Sequence, residues 1–421
     1  MSPKISQTAL PNSPSKTLSK IPSAVEGRAE SPGMDTITAA PVADPAPIAP
    51  TGKPSADQWA VLGGLRFFLA MVIVVFAVNW QFVNHCSSAE VTHMTDVPAT
   101  ISASSQIHSL VDTFRWWTGS WCNSDTNYYR PLGSYICYIE TIIGLRLGFI
   151  FDGWLGVFWL AALCGATTKL VRRYTSSGWL IWFSVLFVAC NRIYVRSYGA
   201  TPDDGGSLAW YAYHYDIACA AAFTMACATF DEWWTDKRKS SLSWSAFWFI
   251  VCLLIKEVGF IFPVAAATIC LRPSPRRQTE ALLAVGSFGI AAFVLFAVRA
   301  HFVGHSAGSN PLIDKAILHW LRYICAPIFV PADTGSITTL GVFKAILAIV
   351  ALAWLAFRAK IEPSLIVIWS LVAIAYIPGS GQPEWWNTLA AVPFRAVAWA
   401  YLAISIGSYW HHGKRQIITA Q

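Results

Sequence analysis

The sequence predicts an all-helical integral membrane protein with about ten transmembrane helices and a large first extracytoplasmic loop. The chain of 421 residues is 55% hydrophobic and only 13% charged, whereas a soluble domain carries about a quarter charged residues. Its apolar residues come in blocks of about twenty, the length of a helix that crosses a hydrocarbon core of roughly 30 Å. Lys and Arg residues cluster in the short segments between these blocks.

The net charge of +7 would suggest a nucleic-acid partner in a soluble protein. Here the basic residues orient the chain in a lipid bilayer instead, because cytoplasmic loops carry an excess of Lys and Arg. We therefore expect no nucleic-acid partner. In a ten-span arrangement the basic clusters all fall on one side, which predicts that both termini are cytoplasmic. These clusters are residues 172–173, 237–239, 276–277, 358–360 and 414–415.

Three regions follow from the order of composition along the chain. Residues 1–56 are rich in Pro, Ser, Ala and Thr and lack an apolar period, which predicts a disordered cytoplasmic tail. Residues 57–410 form the polytopic membrane domain, and residues 411–421 a second cytoplasmic tail. The predicted spans are 58–80, 153–171, 178–195, 208–230, 243–255, 258–271, 280–299, 338–357, 364–378 and 388–408.

The loop between the first two predicted spans, residues 81–152, is too long to be a mere connector. Its segment 112–140 combines acids, an Arg-Pro turn and many Trp and Tyr residues, so we interpret it as the lid or floor of a site at the membrane surface. Carboxylates in this loop, above all Asp96 and Asp112, are candidates for a general base. The alternative for each is a solvated loop charge.

Lys256 and Glu257 are the most informative charged pair, because apolar residues flank them on both sides. Ionisable residues at membrane depth are costly and mark functional sites by default. In the functional interpretation Lys256 meets a phosphate and Glu257 holds a metal or a sugar hydroxyl. In the structural interpretation the two residues form an ion pair at a tight turn between two short helices.

Four further candidates for substrate binding lie near the predicted extracytoplasmic face. His214 and Asp216 stand at the outer end of the fourth span, where they meet a ligand or anchor the helix end in the interface. Arg130 suits a bidentate phosphate contact, or anchors the loop on lipid headgroups or pairs with Glu140. Arg395 is the costliest cation, since it lies inside the tenth apolar span.

The ten cysteines contain no Cys-x-x-Cys spacing and predict no metal or redox framework. Several lie inside apolar runs, where Cys acts as a small hydrophobe. Cys86 and Cys122 share the large loop, and the sequence leaves open whether they pair. Phosphate-binding loops, dinucleotide fingerprints and zinc helix motifs are absent from the sequence.

In order and topology, the chain resembles the GT-C superfamily of polytopic glycosyltransferases, nearest to its protein O-mannosyltransferase-like and tetratricopeptide-linked branch. Four segments carry the resemblance: residues 115–119 leading into Tyr129-Arg130-Pro131-Leu132, the His214-Tyr215-Asp216 run, Lys256-Glu257 followed by Pro263, and residues 391–400 with Arg395 before Trp399 and Tyr401. The resemblance covers most of residues 58–410. No tetratricopeptide repeats follow the tenth span.

The resemblance implies an inverting transfer of a sugar from a polyprenyl-phosphate donor on the outer face. A first-loop Asp would be the base, and a cation (Arg130, Lys256 or Arg395) or a divalent metal would steady the leaving lipid phosphate. Glu257 and Asp216 would support the base. One departure is that the family has an acid close after its first span, whereas here none comes before Glu90 and Asp96. By position, Asp96 is the first candidate for the base and Asp112 the second.

Other functions remain open from the sequence. A polymer ligase or a phosphoryl-lipid transferase would need the same outer cations and acid. A transporter is a different class, but transporters tend to show two matching halves and helices broken at the midplane, and this chain has no internal repeat. A catalytically inactive scaffold of the same fold is the third possibility, because the early acid is missing.

Overall fold

A computed structural model describes residues 65–84, 130–147, 150–190, 211–236, 238–303, 350, 354, 362–374 and 390–420. All of them lie within one compact unit, Pro50–Gln421. Within these ranges the secondary structure is helical and contains no strand. The all-helical class predicted from the sequence is therefore confirmed for the described part of the chain.

The described helices have 8 to 29 residues, and a 3-10 turn separates α6 from α7. In chain order they are α1 (Leu65–Asn84), α2 (Pro131–Leu147), α3 (Ile150–Val171), α4 (Gly178–Ala189), α5 (Tyr211–Asp236), α6 (Lys239–Ile255), the 3-10 turn Glu257–Ile261, α7 (Phe262–Ile269), α8 (Gln278–Val303), α9 (Pro363–Ile374) and α10 (Val392–Ala420).

Two described helices are long and apolar enough to cross a membrane, by length and composition: the segments Trp154–Val171 of α3 and Gln278–Arg299 of α8. The break predicted at Lys256-Glu257 is present, because α6 ends at Ile255 and the 3-10 turn begins at Glu257. The sixth predicted span, residues 258–271, is apolar and helical over Glu257–Ile269, where a 3-10 turn runs directly into an α-helix. Its regular part, α7, has eight residues and is about 12 Å long, less than half of a hydrocarbon core.

Two further boundaries differ from the sequence expectation. The sequence predicts that residues 131–147 belong to the first loop, but they form α2. Pro131 suits the first helical position, and the polar Ser134, Glu140 and Thr141 are buried within the bundle. Helix α10 runs on to Ala420, through the segment predicted as a terminal tail.

Helix α5 is the central element and packs most extensively along α3 and α6. Its middle consists of small residues, and Ala220, Ala222, Ala226 and Cys227 are each at most 2% exposed. Small side chains let neighbouring helices approach closely, which is a common device in helix packing within membranes. This run explains how one helix can contact several others along its whole length.

Aromatic side chains fill the space between α5, α6, α7 and α8. Phe262 contacts Phe223, Phe230 and Phe288 edge-on, with ring centroids 5.1 to 6.3 Å apart. The ring centroids of Phe249 and Phe262 lie 5.0 Å apart in a tilted arrangement. Edge-to-face packing aligns the positive ring edges with negative ring faces. The broken α6–α7 segment is held against α5 by this cluster.

Threonine hydroxyls inside these helices donate to the carbonyl four residues earlier. Thr141, Thr167, Thr168 and Thr224 make this bond at 2.7 to 2.9 Å. The bond satisfies a polar group without a partner from another helix. These four threonines are buried, so the bond keeps their hydroxyl groups paired inside the bundle.

Helix α8 has one buried and one exposed apolar face. Ala281, Ala284, Phe288 and Ala292 are buried at helical spacing. The opposite face exposes large apolar side chains, with relative exposures of 68% to 73% for Leu282, Leu283, Ile290 and Phe293. A contiguous apolar surface of this kind indicates contact with lipid or with another protein surface.

Candidate functional site

Buried charges from separate parts of the chain meet beside the break between α6 and the 3-10 turn. We call this group the Lys256 cluster. Its members are Arg130, Glu140, His214, Tyr215, Asp216, Lys256, Glu257 and Arg299.

Lys256 lies in the break itself. Its backbone is extended, with φ −159° and ψ 158°, and its N–H still donates to the carbonyl of Cys252 at 2.9 Å. The extended residue turns its side chain toward α5, where Nζ donates to Oδ1 of Asp216. The Lys256 and Asp216 side chains are 4% and 1% exposed. A buried charge requires such a partner, because an isolated ion is strongly disfavoured in an apolar medium.

Glu257 is held by two arginines. Arg130 Nη2 donates to Oε2 at 2.7 Å, and Arg130 Nε lies 3.1 Å from both carboxylate oxygens. Arg299 Nη2 lies 3.4 Å from Oε1. Arg130 reaches this position because it directly precedes Pro131, the first residue of α2. Bidentate Arg–carboxylate contacts are among the strongest hydrogen-bonded pairs, so Glu257 joins the start of α2 to α8.

Tyr215 lies between the two main cations. Its hydroxyl accepts a hydrogen bond from Arg130 Nη1 at 3.1 Å. Arg130 Cζ and Lys256 Nζ each lie 5.7 Å from the centre of its ring. At this distance an aromatic ring attracts a cation through its quadrupole. The ring therefore links the two ion pairs into one cluster.

Glu140 on α2 orients His214 on α5. His214 Nδ1 lies 2.9 Å from Glu140 Oε2, and Trp159 Nε1 donates to Glu140 Oε1 at 2.7 Å. Carboxylate oxygens accept hydrogen bonds, so this contact places the His214 ring proton on Nδ1. Both side chains are buried. The three residues tie α2, α3 and α5 together.

Gly133 allows α2 to pack closely against the end of α6. A Cβ atom at this position would lie 2.9 Å from the backbone carbonyl oxygen of Ile255, the last residue of α6. Backbone cannot move aside as a flexible side chain can, so only glycine fits. This close approach brings Arg130 and Glu140 to the Lys256 break.

The structure brings five predicted substrate-binding residues into one cluster: Arg130, His214, Asp216, Lys256 and Glu257. Arg395 is buried on α10, with Cζ 5.9 Å from the ring centre of Phe187 on α4. The two candidate bases, Asp96 and Asp112, and the cysteines Cys86 and Cys122 lie outside the described residues.

A small pocket borders the cluster between α6, the 3-10 turn and α8. Glu257 and Arg299 form its polar side. Leu253, Phe260 and Leu295 form its apolar side. This pocket is the partly exposed edge of an otherwise buried cluster.

The far end of α5 carries a second ionic group, which we call the Asp231 cluster. Asp231 is fully buried, and Arg173 Nε donates to its Oδ2 at 2.8 Å. Arg272 Nη1 contacts its Oδ1. Asp216 and Asp231 are fifteen residues apart on one helix, so the two clusters are separated by about 22 Å along its axis.

The Asp231 cluster also includes Glu232 and Asp236 on the same helix, and both of these acids have lowered pKa values. Hydrogen bonds from Arg173 are the main cause for Asp236, whose pKa lies below its ordinary value. Burial acts to raise the pKa of Glu232, but Lys169 and Arg238 outweigh it, so that pKa is lowered too. Lys169 Nζ and Arg238 Nη1 lie 3.2 and 2.7 Å from Glu232. Both carboxylates are thus stabilised as anions.

Glu257 does not fit the metal-binding role suggested by the sequence, because two guanidinium groups already contact its oxygens. Among the residues that the structure describes, no group of three or more His, Cys, Asp or Glu side chains is arranged to hold a metal ion. The carboxylate of Glu257 is instead fixed as the partner of Arg130 and Arg299.

The sequence did not anticipate four of these contacts. Arg130 pairs with Glu257 rather than with Glu140, as one alternative had it, and Glu140 belongs to His214. Nothing in the sequence indicated that Trp159 contacts Glu140. Tyr215 could have been suspected, since it stands between His214 and Asp216.

Comparison of the chain with protein-family models, with curated proteins and with solved structures finds no match.

Proposed function

We propose that this protein is a membrane glycosyltransferase that moves a sugar from a polyprenyl-phosphate donor to an acceptor on the extracytoplasmic face. The observation that carries the proposal is the convergence of Arg130, His214, Asp216, Lys256 and Glu257 at one helix break. Buried ionisable groups gathered in this way mark functional sites by default. The resemblance of the same residues to GT-C motifs supplies the reaction class.

The proposed topology has about ten spans with both termini cytoplasmic. The Asp231 cluster, rich in Arg and Lys, would then face the cytoplasm. The Lys256 cluster would lie toward the opposite face, about 22 Å away along α5. Two helices of spanning length and composition support the membrane setting.

In the proposed reaction, the acceptor hydroxyl gives its proton to a first-loop carboxylate, Asp96 or Asp112. Its oxygen forms a bond to the anomeric carbon of the sugar. The bond from that carbon to the phosphate oxygen breaks, and the electron pair leaves on the lipid phosphate. Preorganised cations stabilise such developing negative charge, and Arg130, Lys256 and Arg395 are the candidates.

A non-catalytic scaffold is the second candidate, and one observation favours it. Arg130, Lys256 and Arg299 each contact a carboxylate of the same cluster, as the ions of a purely structural network do. A scaffold would need the cluster for its fold and not for turnover.

Transfer of radiolabelled sugar from polyprenyl-phosphate donors, measured in purified membranes, tests the proposal. We expect label transfer with the wild type and its loss in Asp96→Asn or Asp112→Asn, with protein amount and melting temperature unchanged. Glu280→Gln is the matched control, because Glu280 pairs only with Arg276 at the other end of the bundle among the described contacts. If the wild type consumes no donor carrying any common sugar, the scaffold function replaces the transferase.

A further inference from the structure

Among the residues that the structure describes, no group donates a hydrogen bond to one carboxylate oxygen of the Lys256 cluster. Asp216 is 2% exposed, and its Oδ1 accepts from Lys256. Its Oδ2 is buried, and within the described part of the chain nothing donates to it. Buried polar atoms are nearly always paired, so an unpaired one in a cluster of this kind points to a missing partner.

The charge of the cluster indicates what that partner is. Arg130, Lys256 and Arg299 provide three positive charges, and each of these cations contacts a carboxylate. Glu140 brings the carboxylates to three, alongside Asp216 and Glu257. Among the described residues, these three carboxylates match the three cations in number. A phosphate bound at Lys256 would have to displace Asp216 from its only described partner.

The chemistry of Asp216 Oδ2 indicates which class of group can bind to it. A carboxylate oxygen is an acceptor only, so it needs a donor such as a hydroxyl group. A neutral hydroxyl adds no charge to a cluster whose described cations and carboxylates are equal in number. The hydroxyl groups of a carbohydrate are neutral donors of this kind.

We propose that Asp216 Oδ2 binds a hydroxyl group of a saccharide, and that Lys256 orients Asp216 rather than binding the lipid phosphate. The inference rests on the proposed function for the origin of the saccharide, which is either the sugar of the donor or a sugar of the acceptor. Lys256 is then a positioning residue, because it acts through Asp216.

Binding to purified wild-type protein and to two variants tests this assignment. The probes are a polyprenyl phosphate without sugar and the same lipid carrying a hexose, each titrated against tryptophan fluorescence. Asp216→Asn removes the carboxylate. The double variant Asp216→Asn with Lys256→Gln also removes the buried ammonium, so that no lone charge is left to unfold the protein. Glu280→Gln is again the control, and melting temperatures verify the fold of each variant.

We expect affinity for the hexose-bearing lipid to fall about tenfold in both variants, which is the usual worth of a hydrogen bond to a charged group. Affinity for the sugar-free lipid should stay within about twofold of the wild type. An equal loss for both lipids would overturn the inference, since it would place the phosphate at Lys256. Unchanged binding of both lipids would overturn it as well, because Oδ2 would then hold only water.

A second probe separates the failure of this inference from the failure of the proposed function. If the wild type binds neither lipid, the transferase proposal fails, and methyl hexosides are titrated against the same three proteins. Methyl hexoside binding that is lost in the Asp216 variants supports the hydroxyl site by itself. Absence of methyl hexoside binding in the wild type overturns the site too. Deoxy-hexose probes, applied to the donor and the acceptor in turn, then identify which saccharide supplies the hydroxyl.

Discussion

Lys256 and Asp216 form a buried ion pair across forty residues of sequence, joining the break after α6 to the first turns of α5. Removing one partner of such a pair leaves an uncompensated buried charge, whereas removing both does not. The pair therefore has a stability signature that can be measured separately from any activity.

We expect Lys256→Gln and Asp216→Asn each to destabilise the protein by about 3 to 5 kcal/mol. The double variant should recover a large part of that loss, because neither charge remains. The measurement is a double-mutant cycle of thermal unfolding in one detergent. Strict additivity of the two single effects would contradict the buried pairing.

Gly133→Ala should disturb the Lys256 cluster without touching any of its charges. The added Cβ would lie 2.9 Å from the Ile255 carbonyl oxygen, so α2 must move away from the end of α6. Overpacking of this kind costs about 1 to 3 kcal/mol. Melting temperature is the measurement.

Gly286→Ala is the matched control for Gly133→Ala. A Cβ at Gly286 on α8 meets nothing within 4 Å, and alanine favours a helix over glycine by up to about 1 kcal/mol. This variant should be neutral or more stable. A Gly133→Ala protein as stable as the Gly286→Ala protein would show that the close approach of α2 is not required.

Acid should weaken the Asp231 cluster. Because the pKa values of Asp236 and Glu232 are lowered by folding, the unfolded chain binds more protons than the folded chain when the pH falls. Their contribution to stability is fully present above the unfolded pKa values of about 3.9 and 4.3. It is lost as the pH falls through the lower folded pKa values.

Asp236→Asn tests this pH dependence. The variant should lose up to about 1 kcal/mol at neutral pH, since Asp236 is partly exposed. Below about pH 4, the stability of the variant should fall less steeply than that of the wild type. Unfolding is followed from pH 7 to pH 3, with Glu280→Gln as a control for the loss of a surface carboxylate. A curve parallel to that of the wild type would refute the linkage.

Asp231→Asn should be more damaging than Asp236→Asn. Asp231 is fully buried and receives Arg173 and Arg272 on its two oxygens. Its replacement leaves two largely buried guanidinium groups around a neutral amide, at a cost of about 3 kcal/mol. The difference in melting temperature between the two variants is the measurement. Equal stabilities would mean that Asp231 is not the centre of the cluster.

Local patterns in the sequence predicted much of the helical framework. The apolar blocks correspond to α1, α3, α5 and α8, although their ends shift by several residues. The break at Lys256-Glu257 was also predictable, because two charges interrupt an apolar run. The sequence was less informative about residues 131–147, since polar residues that become buried in a bundle look like loop residues when their partners are unknown.

By itself, the sequence determined the helical class, the position of the break and the candidate residues of the Lys256 cluster, because hydropathy and charge along a chain are local properties. Only the tertiary structure decided which charged side chains pair with each other. Arg130 lies 127 residues from Glu257, and Glu140 lies 74 residues from His214. Such partners depend on how closely the helices pack, which Gly133 and the small residues of α5 permit. Only that packing leaves Asp216 Oδ2 without a hydrogen-bond donor among the described residues, because the cations nearby contact other carboxylate oxygens.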